Sequence, residues 1–276
     1  MVEPVYSVTD LLRVMQRLRD PHTGCPWDLC QNFHSIVPST LEECYELAQA
    51  IEHEEFHHVA EELGDVLFQV IFYAQLGKER HLFTFDTIVS TLVEKLVRRH
   101  PHVFAQGQIE GVVGNRSSVE QVRHTWEKIK QDERNKKEQL GVLADVPLAL
   151  PALSRAQKVQ KRAAQVNFDW ADVPAVLDKL QEELDELRRA MSGQKPDQVH
   201  DEMGDVLFTC VNLARHLGLD AEESLRHATS KFERRFRQME ASVEATGDAL
   251  SAMSEVQLDV LWRRAKAELE SKKRDL

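Results

Sequence analysis

The sequence predicts an all-α protein built from two copies of one helical unit, and three observations carry that prediction. Apolar residues recur at helical spacing along most of the chain, and no stretch alternates with the period of a strand. The segment Glu62-Leu63-Gly64-Asp65-Val66-Leu67-Phe68 returns 140 residues later as Glu202-Met203-Gly204-Asp205-Val206-Leu207-Phe208, with six of the seven positions identical. Other matches keep their order around it. At the same shift Glu42-Glu43 falls on Glu182-Glu183 and Glu46-Leu47 on Glu186-Leu187; at a shift of 141 Asp28 falls on Asp169. At a shift of 136 Lys95, Arg98, Arg99 and Trp126 fall on Lys231, Arg234, Arg235 and Trp262. Acids, bases and a tryptophan held in one order along most of each half point to duplication. The change of shift implies four extra residues in the first half, expected in the turn around Lys78 to Thr84.

In chain order, Val8, Leu11, Leu12, Met15 and Leu18 share one helical face, with Thr9 as a candidate cap and Asp20-Pro21 as the stop. Residues 22–38, which contain Gly24-Cys25-Pro26-Trp27-Asp28, read as an ordered loop. Ser39-Thr40 are expected to open the next helix, where Thr40 and Glu43 have capping-box spacing. A break near Glu54 leads into a long helix from about Val59 to about Gly77, and a further helix covers 85–99. Residues 100–117 lack helical periodicity, and their glycines are not followed by the Gly-Lys-Ser/Thr of a phosphate loop. A charged helix carrying Trp126 is expected over 118–138. In the second half, helices are expected at about 153–165, 172–192, 197–217, 220–245 and 255–273, with Asn167-Phe168-Asp169-Trp170 between the first two. The implied domains are 1–140 and 153–276, joined by a linker at 141–152 rich in Pro and small apolar residues.

Composition narrows the function. A 276-residue chain that is 42% apolar can bury a substantial core in one or two domains. A net charge of −11 and a pI near 5.6 argue against a general binder of nucleic acid or membrane surface. The four cysteines, Cys25, Cys30, Cys44 and Cys210, are scattered without a second pair at zinc spacing, as expected of reduced thiols in a cytoplasmic protein. The N-terminus lacks a basic region followed by an apolar run, and Val66 to Leu76 is too short and too interrupted by Gln to span a bilayer.

The chemistry is expected from carboxylates. Each half carries Glu-x-x-Glu, fifteen intervening residues, then Glu-x-x-Asp: Glu43, Glu46, Glu62 and Asp65, and again Glu183, Glu186, Glu202 and Asp205. Acids three apart share a helical face. A short connection makes the two helices antiparallel neighbours, so the faces meet. Four converging carboxylates repel one another unless a cation sits among them, and all-oxygen ligation favours Mg²⁺ or Mn²⁺ over zinc. One such pair is common on helix surfaces and Glu43 also suits a cap; two quartets at equal spacing, each flush against an apolar run, are not explained that way. In every pair of the quartets the position after Glu-x-x is Glu or Asp rather than His, which disfavours a di-iron centre. Lys231, Arg234 and Arg235, like Lys95, Arg98 and Arg99, suit phosphate oxygens, although a helix end also favours cations. Trp262 suits either a stacked base or the core of an amphipathic helix.

These residues resemble the MazG family of nucleoside triphosphate pyrophosphohydrolases. The quartets carry the resemblance. So do Arg17-Leu-Arg-Asp-Pro-His-Thr-Gly-Cys-Pro-Trp-Asp28, Arg98-Arg-His-Pro-His-Val-Phe104, Asn212-Leu-Ala-Arg-His-Leu-Gly218 and Lys231-Phe-Glu-Arg-Arg-Phe236, which extend it over nearly the whole chain. The resemblance implies tandem helical domains forming four-helix-bundle-like units completed by dimerisation. It also implies Mg²⁺ dependence, with Mn²⁺ as a substitute, and hydrolysis of NTPs or dNTPs at the α-phosphorus to NMP and pyrophosphate. It assigns activity to the second half, with Glu183, Glu186, Glu202 and Asp205 as metal ligands and Lys231, Arg235 and Trp262 at the nucleotide. The alternatives are a metal- and nucleotide-binding regulatory or scaffold protein without turnover, and a purely structural bundle that leaves the repeated acids unexplained.

Overall fold

The computed structural model describes residues 5–111, 118–136, 141–144, 146–193, 196–244 and 249–272. The described residues contain helices and turns and no strand. The chain divides into two compact units, Met1–Glu133 and Arg134–Leu276. This boundary lies within the expected charged helix, upstream of the expected linker.

The first unit contains α1 (Val8–Leu18), α2 (Pro26–Cys30), α3 (Val37–Glu52), α4 (Phe56–Glu79), α5 (Phe85–Arg99) and most of α6 (Val119–Lys136). Its backbone is the α3–α4 pair joined by residues 53–55, with α1 and α5 packed on α4. Met15, Ile36, Ile71, Phe72 and Leu76 form the core, none more than 2% exposed. Arg19 lies beside this core. It pairs with Glu79 at 2.6 Å, donates to the Asp28 carbonyl, and holds its guanidinium 5.4 Å from the Phe72 ring centre. Gly24 is required where it stands, because a Cβ there would meet the Leu18 carbonyl oxygen at 2.4 Å.

The second unit contains α7 (Ala152–Ala164), α8 (Val173–Ser192), α9 (Pro196–His216), α10 (Ala221–Glu244) and α11 (Glu255–Lys272). Here α8 and α9 are the central pair, α7 lies on α9, and α10 packs on α7, α9 and α11. Two buried glutamines fasten α7. Gln157 donates to the Leu219 carbonyl at 2.8 Å and accepts from the Ala221 amide at 3.0 Å, while Gln160 donates to the Phe208 carbonyl at 2.8 Å. Buried amides bonded this way fix the register of one helix against another.

The expected helices are present, with corrections at their ends. Ser7, not Thr9, caps α1, in a reciprocal box with Asp10. Thr40 is no cap: α3 starts three residues before it at Val37, and Pro38 in its first turn needs no N–H partner. The Thr40 hydroxyl instead bonds the Ile36 carbonyl and the Tyr73 hydroxyl, both at 3.0 Å. The loop expected at 22–38 contains the short helix α2. The four-residue difference is shared between helix and turn: α4 runs 14 residues past Asp65 and α9 runs 11 past Asp205, while the following turns have five and four residues. Residues 112–117 of the expected loop, 137–138 of the charged helix and 145 of the linker lie outside the described residues.

At the end of the first unit, Arg98 and Arg99 close on one carboxylate, Glu133, with shortest contacts of 2.7 and 2.5 Å. The hydrogen bonds from Arg99 hold Glu133 down at about 2, against the opposing effect of burial and with help from Arg98. A folded-state pKa below the unfolded value of 4.5 gives stabilisation that is complete above pH 4.5 and lost as pH falls towards 2. Urea unfolding of Glu133→Gln across pH is therefore expected to lie below the wild type by roughly 1.5–3 kcal/mol near neutrality and to converge with it in acid. Parallel profiles would show that this ion cluster contributes nothing.

Candidate functional site

Helix periodicity places Glu183 and Glu186 one turn apart on α8, and Glu202 and Asp205 one turn apart on α9. Packing of the pair brings carboxylate oxygens of Glu183, Glu202 and Asp205 within 4.8 Å of one another. Glu183 is buried: its Oε1 accepts from Lys179 Nζ at 2.9 Å, and its Oε2 has no protein partner. A buried, unpartnered carboxylate oxygen is costly unless a cation or donor reaches it. Glu186 stands just outside the group and accepts from Arg189 at 3.0 Å. Burial first, then the charges of Glu186, Asp205 and Glu183, pushes Glu202 above the usual carboxylate range. Lys179 also bonds Glu182 at 2.8 Å, and these two carboxylates hold its ammonium above the usual lysine range. The donor set is all oxygen with one buried orphan, which fits a hard divalent cation.

The first half repeats the arrangement with Glu43, Glu62 and Asp65. Glu46 is outside that group, yet its charge joins burial and Asp65 in raising both Glu43 and Glu62. Gln69 donates to Glu43 Oε1 at 3.5 Å. In both copies the glycine between the paired acids, Gly64 or Gly204, lies inside a helix with nothing within 4 Å of where its Cβ would stand.

The halves differ beside the acids. In the second unit a cavity of about 650 Å³ has both Glu183 and Asp205 in its wall, with Lys179 next to them. The rest of its wall is largely apolar and aromatic, with Phe168, Trp170 and Phe208. The loop after α7 makes this possible. Asn167 adopts φ 63°, a left-handed conformation that Asn tolerates, and Phe168 bonds back to the Ala163 carbonyl. Phe168 and Trp170 are left 80% and 42% exposed, available to a flat ring. In the first unit, the 140-residue shift puts Phe72 where α9 has Asn212, Gln75 where it has Arg215, and Leu76 where it has His216. Phe72 and Leu76 are core residues.

The basic residues singled out from sequence lie elsewhere. Lys231, Arg234 and Arg235 are on α10 and Trp262 is on α11. Arg235 pairs with Glu270 at 3.4 Å and lies 5.7 Å from the Trp262 ring centre, and Trp262 packs on Phe232 at 5.2 Å. None of these four lines the cavity. In the first half Arg98 and Arg99 are bound to Glu133, and Trp126 packs edge-on against His100. Sequence reasoning missed Lys179, whose i,i+4 spacing to Glu183 was the available signal, and the cavity wall. That wall draws on four separated segments, so no local pattern marks it.

The MazG nucleotide pyrophosphohydrolase domain model matches residues 31–104 and again 173–239. The chain is 47% identical over 262 residues to a nucleoside triphosphate pyrophosphohydrolase of Escherichia coli K12, covering 94% of this chain and 97% of that protein. It is 44% identical over 257 residues to a nucleoside triphosphate pyrophosphohydrolase/pyrophosphatase MazG of Thermotoga maritima, covering 93% and 94% respectively.

A raised folded-state pKa means that Glu202 favours folding fully only below its unfolded value of 4.5, and that this contribution is lost as pH rises through the folded value. In chelator at pH 7, Glu202→Gln is therefore expected to melt a few degrees above the wild type, with the gap closing below about pH 4.5. An equal or lower melting temperature at pH 7 would show that the metal-free acids do not strain the fold.

Proposed function

The chain belongs to the MazG nucleotide pyrophosphohydrolase family, and we propose that it is a nucleoside triphosphate pyrophosphohydrolase whose working centre is in the second half. One observation carries the choice of half: a single cavity is lined both by carboxylates of the acid group and by aromatic rings. A molecule with a charged polyphosphate and a flat ring matches both kinds of lining. In the first half the positions matching Asn212 and His216 are filled by the core side chains Phe72 and Leu76.

In this reading Glu183, Glu186, Glu202 and Asp205 hold divalent metal, Mg²⁺ with Mn²⁺ as a substitute. Glu43, Glu46, Glu62 and Asp65 form a second metal site without a base cavity beside it. The cation supplies Lewis-acid polarisation of phosphoryl oxygens and a bound water of lowered pKa. One carboxylate of the group takes the proton as water attacks the α-phosphorus. Lys179 faces the phosphates from the cavity wall. Lys231 and Arg235, with Arg234, offset the charge that builds on the departing pyrophosphate, and Trp262 holds Arg235 in place.

Those cations lie on α10, outside the cavity wall, and in this reading they serve the cavity of a second copy. The exposed apolar side chains Met203, Leu207, Leu225, Phe232 and Phe236 on α9 and α10 support a homodimer. Described helices are all too short or too polar to cross a membrane. A cytoplasmic location and NTPs or dNTPs as substrates complete the reading.

Incubating the protein with Mg²⁺ and ATP is expected to give AMP and pyrophosphate. ADP and orthophosphate would place attack at the γ-phosphorus and overturn the reading. Glu202→Gln is expected to lower pyrophosphate release by at least a thousandfold with the helical circular dichroism intact, whereas the same change at Glu62 leaves most turnover. Binding of nucleotide without turnover by the wild type would favour a sensing or scaffold role.

A further inference from the structure

We infer that Asn212 selects the base, favouring nucleotides whose ring carries an exocyclic carbonyl over those carrying an amino group at the same place. The inference rests on the cavity being the nucleotide site. Asn212 lies seven residues after Asp205 on α9, two turns on and on the same face. That is ~10 Å along the helix axis, a span suited to the distance from a phosphate at the acids to the edge of its base. Asn212 lines the cavity, as do Val159, Ala163 and Phe208.

Its amide has a fixed orientation. Arg215 donates through Nη1 to Asp169 Oδ2 at 2.9 Å and through Nη2 to Asp169 Oδ1, and the same Nη2 donates to Asn212 Oδ1 at 2.7 Å. An arginine has only donors, so it takes the amide oxygen, and a flipped amide would set NH₂ against guanidinium. Asp169 is fully engaged, since it also receives His216 Nε2 at 3.1 Å and the Trp170 amide at 2.9 Å. The Asn212 oxygen is thereby committed, and its NH₂ group is the part left to serve a ligand. No described residue accepts a hydrogen bond from it.

A donor on an apolar wall gains from an acceptor and loses against another donor. The exocyclic group of a base stands out from the ring edge and meets a wall residue before the ring nitrogens do. A carbonyl there accepts from Asn212, while an amino group leaves two donors facing each other. The pairs ITP/ATP and UTP/CTP differ at this group, and at the adjacent ring nitrogen, which changes from acceptor to N–H donor with it.

The test is kcat/KM for pyrophosphate release from these four nucleotides. The wild type is expected to favour ITP over ATP and UTP over CTP by about tenfold. Asn212→Asp keeps an oxygen for Arg215 but has no N–H to give, and is expected to bring both ratios to one or invert them. Asn212→Leu removes the donor without adding charge beside Asp169, and covers the case in which the acidic variant folds poorly; its ratios are expected at one. Ratios of one in the wild type, or unchanged ratios in both variants, overturn the role of Asn212 while leaving the pyrophosphohydrolase reading in place. Release from none of the four overturns both.

Discussion

Repulsion among carboxylates that share a small volume is the constraint around which each half is arranged. Two antiparallel helices bring three acids within 4.8 Å, and in the second half Glu183 is buried with one oxygen unpaired. Nothing in folding alone selects this, since burial and then the neighbouring acids push Glu43 and Glu202 above the usual carboxylate range. The glycine between the acids adds to the cost. It sits inside a helix where alanine would be better by about 1 kcal/mol, and no neighbour in the chain needs its lack of a side chain. A helix face that is acidic, bare and less stable than it could be is one kept clear for something that arrives later.

The two halves show what duplication preserves and what it lets drift. The acids, their spacing and the glycine are common to both. The surroundings are not. Where α9 carries Asn212, Arg215 and His216, α4 carries Phe72, Gln75 and Leu76: Phe72 and Leu76 are core residues, and Gln75 is turned to Glu79. Lys179, at the edge of the cavity, stands where the first half has Ser39. The arginines diverge in the same sense: Arg98 and Arg99 are drawn onto Glu133, while the matching Arg235 has only a longer contact to Glu270, and the position matching Glu133 is Leu269. Intact acids in the first half are therefore compatible with a half that holds a cation and builds no nucleotide site around it.

What sequence shows and what it hides follows from the range of each interaction. Acids at i and i+3 lie on one face by helix geometry alone, so the quartets are legible in the residue order itself. The body of each helix is legible for the same reason. Helix starts are less so, because several residues compete for each cap: Ser7 prevails over Thr9 through its reciprocal bond with Asp10, and Pro38 pulls the start of α3 ahead of Thr40. The cavity is not legible, because its walls come from Val142-Leu143, α7, the loop after it, α8 and α9, which only packing unites. The Asn167-Phe-Asp-Trp170 run offers a hint, but a loop motif does not reveal what its rings enclose.

The fixing of Asp169 shows how such a loop becomes precise enough for recognition. Burial opposes its ionisation, yet the bonds from Arg215 and His216 outweigh that and hold its carboxyl below the usual range. It therefore stays charged at any ordinary pH and keeps Arg215 aimed, and Arg215 in turn orients Asn212. The chain of contacts ties the loop after α7 to the C-terminal end of α9, the same helix whose middle carries Glu202 and Asp205. One rigid helix thus sets the distance between the acids and the amide. The separation between chemistry and recognition is built into backbone geometry rather than left to flexible side chains.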